Sequence, residues 1–123
     1  MPKKKVLVGG CFNKIHPGHI YFLEESKKLG DELIVVLTHD KNNKKLYNSS
    51  AKERKKLLES LSIADKILIG DIKDKTKIVK KVKPNIIALG YDQKLPSGLD
   101  NFKYVRIKKL GSYSTKNNGI FRN

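Results

Sequence analysis

A chain of 123 residues with 27 Lys and Arg against 12 Asp and Glu, formal charge +15, has the length of a single domain, 1–123, and a surface that attracts polyanions. Hydrophobic residues make up 38% of it and fall in short runs, which excludes a long apolar membrane span and predicts one sheet covered by helices. A single cysteine excludes an intrachain disulfide and, with no secretory leader in view, points to the cytoplasm.

Lys5–Gly9 reads as a short buried strand and Ile20–Leu29 as a helix, with Pro17 suited to its first turn. Between them stands Gly-Cys-Phe-Asn-Lys-Ile-His-Pro-Gly-His, residues 10–19. At such a junction the unpaired N–H groups of the first helical turn and the helix dipole favour an anion. Gly9, Gly10 and Gly18 let a triphosphate approach the backbone. His16 and His19 share one face of the helix start, and an imidazole can neutralise charge on a leaving pyrophosphate. A metal pair or two surface histidines are the competing readings; only His39 remains as a further histidine ligand.

Gly30-Asp31 supplies a stop, and Glu32–Thr38 a second strand rich in β-branched residues. A polar loop covers 39–49. Ser50 and Glu53 form a capping box for a helix to Leu61, with Leu57, Leu58 and Leu61 as its apolar face. Lys66–Gly70 is a third strand, Thr76–Val82 a short helix ended before Pro84, and Asn85–Gly90 a fourth strand. Turn chemistry fills Leu95–Asn101, a last strand runs over Lys103–Lys108, and the stretch 111–119 is polar. Strands separated by helices imply a parallel sheet with helices on both faces and ligands at the strands' carboxyl ends. The loops at 10–19 and 39–49 and the segment after Gly90 then converge on one pocket.

The segment 10–19 resembles the H-x-G-H signature of the nucleotidylyltransferase superfamily, usually G-T-F-D-x-x-H-x-G-H. The resemblance implies an α/β, Rossmann-like nucleotidylyltransferase fold with a mostly parallel sheet. It also implies transfer of a nucleoside monophosphate from a triphosphate to a phosphorylated acceptor, by direct in-line attack. His16 and His19 would contact the α- and β-phosphates, and Gly9, Gly10, Cys11, Phe12, Asn13 and Gly18 would line the nucleotide site. Mg2+ or another divalent cation would accompany the triphosphate. Cys11 stands where Thr or Ser is usual and keeps the backbone N–H; Asn13 stands where Asp is usual and offers the metal only a neutral oxygen.

Further segments match in order. Lys44 or Lys45, with Lys41 behind them, corresponds to a lysine that grips the triphosphate, and Arg54 to a helix arginine near the substrate phosphates, its fork suiting phosphate better than lysine does. An exposed helix arginine is the alternative for Arg54. Ala-Leu-Gly-Tyr-Asp-Gln-Lys, 88–94, resembles the G-Y-D-Q stretch of archaeal-type FAD synthases and more distantly the G-D-D-W stretch of glycerol-3-phosphate cytidylyltransferases; Gly90 and Asp92 would meet base and ribose. Tyr-Ser-Thr-Lys, 113–116, resembles the superfamily's I-S-T-T motif, so Ser114 and Thr115 would bind nucleotide phosphates. The cytidylyltransferase arginine ahead of that motif is replaced by Lys108 or Lys109.

The resemblance favours transfer of AMP from ATP to FMN, giving FAD and pyrophosphate. The alternatives are a CTP-dependent transfer to glycerol 3-phosphate or a similar acceptor, and a non-catalytic nucleotide- or RNA-binding relative. A homodimer is expected by analogy. Nucleic acid is not the expected partner, since the lysines are dispersed and no RNA-binding motif occurs.

Overall fold

Runs of leucine and β-branched residues build the two central strands, Lys5–Gly10 (β1) and Glu32–Leu37 (β2), which are buried on both faces as parallel strands under helices must be. The computed structural model describes residues 3–12, 15–42, 50–74 and 76–110. In chain order β1 is followed by the helix Pro17–Lys27 (α1), β2, a 3₁₀ turn at Asp40–Asn42, the helix Ala51–Ser60 (α2), Lys66–Ile69 (β3), Lys77–Val82 (α3), Ile86–Leu89 (β4) and Tyr104–Arg106 (β5). The five strands form one sheet in the order β3-β2-β1-β4-β5, and every pairing is parallel. The Rossmann-like α/β reading therefore holds.

Alternation along the strands divides the core. Val6, Val8, Leu33, Val35 and Leu37 meet Leu23 of α1 and Leu58 of α2 on one face. Leu7, Val36, Ile87 and Leu89 meet Val79 of α3 and Leu99 on the other. Strand order reverses between β1 and β4, so the crevice for a ligand opens at their carboxyl ends.

Several boundaries differ from the sequence reading. Helix α1 begins at Pro17 and not at Ile20, because His16 and His19 cap it. β5 covers Tyr104–Arg106, shorter than the predicted Lys103–Lys108. The Ser50–Glu53 box forms as predicted, with the Glu53 N–H donating to Ser50 Oγ at 3.2 Å and the Ser50 N–H to Glu53 Oε1 at 3.1 Å. The buried face of α2, however, is Ala51, Arg54 and Leu58, while Leu57 stands 42% exposed. The i, i+3, i+7 spacing runs through an arginine, which an apolar pattern does not reveal. Among the described residues no helix is long and apolar enough to cross a membrane.

Candidate active site

The N-terminus of α1 is closed by two imidazoles. His16 is the N-cap, in extended backbone conformation, and its Nδ1 accepts the Gly18 N–H at 3.1 Å. The His16 N–H in turn donates to Nδ1 of His19 at 3.3 Å. Histidine thus supplies both halves of a reciprocal box usually made by Ser or Thr with Glu or Gln. An Nδ1 that accepts carries no proton, so each neutral ring holds its proton on Nε2, the edge opposite the cap. The ring centroids lie 3.9 Å apart, and Phe12 packs against His19 at 5.5 Å.

This arrangement explains the glycine between the histidines. A Cβ on Gly18 would sit 2.8 Å from Cε1 and 3.0 Å from Nδ1 of His16. Gly10 is similarly close to a ring: its Cβ would lie 2.9 Å from Cε2 of Phe12. Phe12 itself has φ of 50° and a side chain only 6% exposed, within the core. The Phe12 ring, expected to line the nucleotide site, packs in the core cluster and against His19.

Behind the loop lies Arg54, 1% exposed. Its Nη1 donates to Cys11 O at 2.8 Å, and its Nη2 to Thr38 O at 2.8 Å and Asp40 Oδ1 at 2.9 Å. The guanidinium therefore ties α2 to the loops after β1 and β2. The alternative reading of Arg54 as an exposed helix arginine is corrected by this burial. The Arg54 hydrogen bond, followed by that from the Ala51 N–H, holds the Asp40 carboxyl below the usual carboxylate range. The Cys11 thiol donates to Thr38 Oγ1 at 3.5 Å, a second link between the same loops.

On the α3 face of the sheet, a cavity of about 260 Å³ opens at the carboxyl ends of β1 to β4. Leu7, Val36, Val79, Ile87 and Leu89 form its apolar wall, and Gly10, Thr38, His39 and Gln93 stand along its polar side. The strand ends that the sequence reading brought together do converge here. His16 and His19 are not part of this lining; they sit across β1 at the start of α1.

Gly90 N–H donates to Gln93 Oε1 at 2.8 Å, and Gln93 Nε2 donates to Gly9 O at 2.9 Å. Arg106 Nη1 donates to the carbonyls of Gly90 and Gln93. Asp92 is exposed on this turn, and Lys109 Nζ lies 5.4 Å from the Tyr91 ring centroid. Sequence reasoning gave no role to Gln93, Arg106, Thr38 or Asp40. Arginine offered one signal: in a lysine-rich chain it occurs only at 54, 106 and 122, and its planar, weakly hydrated guanidinium suits a buried position better than an ammonium does.

Asn13, Lys44, Lys45, Ser114 and Thr115 lie outside the described residues. Among the described residues no group of three or more His, Cys, Asp or Glu is placed to hold a metal ion.

The sequence profile of the Cytidylyltransferase-like family matches residues 7–110. The chain is 46% identical over 92 residues to the FAD synthase of Ferroglobus placidus, covering 73% of this chain but only 60% of that protein. It is 45% identical over 110 residues to the FAD synthase of Thermoplasma volcanium, covering 87% of this chain and 75% of the relative. Among solved structures, the lipopolysaccharide core biosynthesis protein from Thermoplasma volcanium GSS1 superposes with a TM-score of 0.79 at 40% identity, covering 88% of this chain and 98% of that one.

Proposed function

Because this chain belongs to the cytidylyltransferase-like family, we propose that it is an adenylyltransferase that joins the AMP of ATP to FMN, giving FAD and pyrophosphate. The observation that carries the chemistry is the reciprocal histidine cap, which presents two Nε2–H donors at the positive end of α1. The similarity to archaeal FAD synthases supports FMN as the acceptor.

In this reading an FMN phosphate oxygen attacks the α-phosphorus of ATP in line, and the bond from that phosphorus to the bridging oxygen breaks. The electron pair leaves with pyrophosphate. His16 and His19 donate from Nε2 to the α- and β-phosphate oxygens as charge grows there, an effect worth about 3–4 kcal/mol for one such donor. Asn13, in place of the usual carboxylate, is the side chain we assign to a divalent cation accompanying the triphosphate, which would supply positive charge against the phosphates. Lys44, Ser114 and Thr115 complete the grip on the phosphates, and Gly90 and Asp92 face base and ribose. Arg54 holds the loops in register.

The cavity at the strand ends has an apolar wall, a lining that suits a flat ring better than a small polyol phosphate. One observation favours a second reading, a phosphorylated sugar acceptor: the solved relative described as a lipopolysaccharide core biosynthesis protein is matched over 98% of its length.

The test is pyrophosphate release with ATP or CTP against FMN, glycerol 3-phosphate and sugar phosphates, with His16→Ala and His19→Ala as controls. Release with ATP and FMN alone, abolished in both variants, is the expected result. Release only with another pair replaces the acceptor, and release that survives both substitutions removes the histidine mechanism.

A further inference from the structure

We propose that Gln93 is a positioning residue that fixes the width of the crevice between the phosphate-facing end of β1 and the cavity-facing end of β4. The backbone shows why a side chain is needed there. The β1–β2 ladder runs as far as Gly10 opposite Leu37, but the β1–β4 ladder stops at Leu7 opposite Ile87. Beyond that rung the β1–β4 pairing is not continued, and Gly9 O and the Gly90 N–H take a side chain as partner.

The Gln93 carboxamide takes the place of the missing rung. Its Oε1 accepts from Gly90 N–H at 2.8 Å on the β4 side, and its Nε2 donates to Gly9 O at 2.9 Å on the β1 side. A glutamine is the one common side chain with an acceptor and a donor at this reach. Asparagine is a methylene shorter, and glutamate would set a carboxylate oxygen against the Gly9 carbonyl.

The bridge is braced from the next strand. Arg106 of β5 donates from Nη1 to Gly90 O at 2.8 Å and to Gln93 O, and the Ile107 N–H donates to Leu89 O at 2.7 Å. Gln93 also lines the apolar cavity. Through one amide, the floor of the cavity is thus tied to the glycine pair that precedes the histidine cap.

The kinetic consequence rests on the adenylyl-transfer reading. A crevice that widens separates the acceptor phosphate from the α-phosphorus, and misplacement by an ångström costs roughly 100-fold in rate. Ground-state binding of ATP at α1 is left largely intact. Gln93 therefore acts on kcat and on the acceptor more than on ATP affinity.

The experiment compares wild type with Gln93→Met and Gln93→Glu. Three measurements are made: kcat and KM for ATP and FMN, ATP binding without acceptor, and NMR of the Gly90 amide exchange and the Gly10 amide shift. In both variants we expect kcat to fall about 10- to 100-fold with ATP affinity within about threefold. Gly90 exchange should rise in Gln93→Met and stay slow in Gln93→Glu, which keeps the acceptor. Unchanged kcat overturns the proposal, as does a loss of kcat that tracks a falling Tm and falling ATP affinity together. If wild type turns over no FMN, the adenylyl reading fails by itself. Gly90 exchange and the Gly10 amide shift, which reports the bond on Gly9 O, then decide the bridge: faster Gly90 exchange with a shifted Gly10 amide in Gln93→Met upholds it, and anything less overturns it.

Discussion

His16 and His19 stack with ring centroids 3.9 Å apart, and each engages a backbone amide of the first turn of α1 through Nδ1. One pair of side chains therefore caps the helix and, in the proposed mechanism, also donates from Nε2. The two roles can be separated by substitution.

Replacing His16 by Ala removes both roles, and should cost about 1 kcal/mol of stability as a lost N-cap and 100- to 1,000-fold in kcat as a lost donor. His16→Asn keeps a side-chain acceptor suited to the N-cap but has no group in the place of Nε2. It should stay within about 0.5 kcal/mol of wild type while remaining as inactive as His16→Ala. Urea unfolding read beside pyrophosphate release checks the pair; activity retained in the asparagine variant would rule out the donor role.

Gly18→Ala should also separate stability from activity. The added Cβ lies 2.8 Å from the His16 ring, so the ring must move and its bond to the residue 18 N–H is given up, at about 1 kcal/mol. Alanine is the better helix residue, by roughly 0.5–1 kcal/mol, which offsets most of that loss. A Tm close to wild type with a lower kcat is the expected combination, read by calorimetry and single-turnover kinetics.

Arg54→Lys is not a conservative change at this site. A lysine brings one ammonium to a place where a fork reaches Cys11 O, Thr38 O and Asp40. Each carbonyl left without a donor costs about 1–3 kcal/mol. We expect both Arg54→Lys and Arg54→Met to be destabilised in urea titrations, with Arg54→Met the worse. Stability equal to wild type in Arg54→Met would contradict the strut.

Asp40 predicts an acid sensitivity. Its carboxyl is held below the ordinary value first by the Arg54 hydrogen bond and next by the Ala51 N–H. A carboxylate depressed in the folded state stabilises the fold above the unfolded-state value near ~3.9, and this contribution is lost as pH falls through the lower folded value. Asp40→Asn should thus lower stability at neutral pH and flatten the decline below about pH 4. Chemical denaturation at stepped pH measures it; an acid limb identical to wild type would remove Asp40 from the account. Glu53, Asp71 and Asp74 are depressed too and will leave a residual slope.

Much of the fold was legible in the chain because its determinants are local. Runs such as Glu32–Leu37 and Ile86–Leu89 announce buried parallel strands, Ser50 with Glu53 announces a helix start, and His16 and His19 are neighbours by spacing alone. Hydrophobic periodicity and capping act over a few residues, so a linear reading captures them. The same reading placed Leu57 inside α2 and left Arg54 at the substrate or in solvent, since it assigns burial by polarity.

By itself the sequence determined the alternation of strands and helices, the glycine and histidine pattern at the first βα junction, and the family. Only the tertiary structure decided that β1 lies between β2 and β4, that Arg54 is a buried strut, and that Gln93 closes the crevice. The physical reason is distance along the chain. Gln93 bonds a carbonyl 84 residues away and Arg54 one 43 residues away. Such partners exist only once the strand order is set, and any glutamine or arginine in a linear pattern looks the same until then.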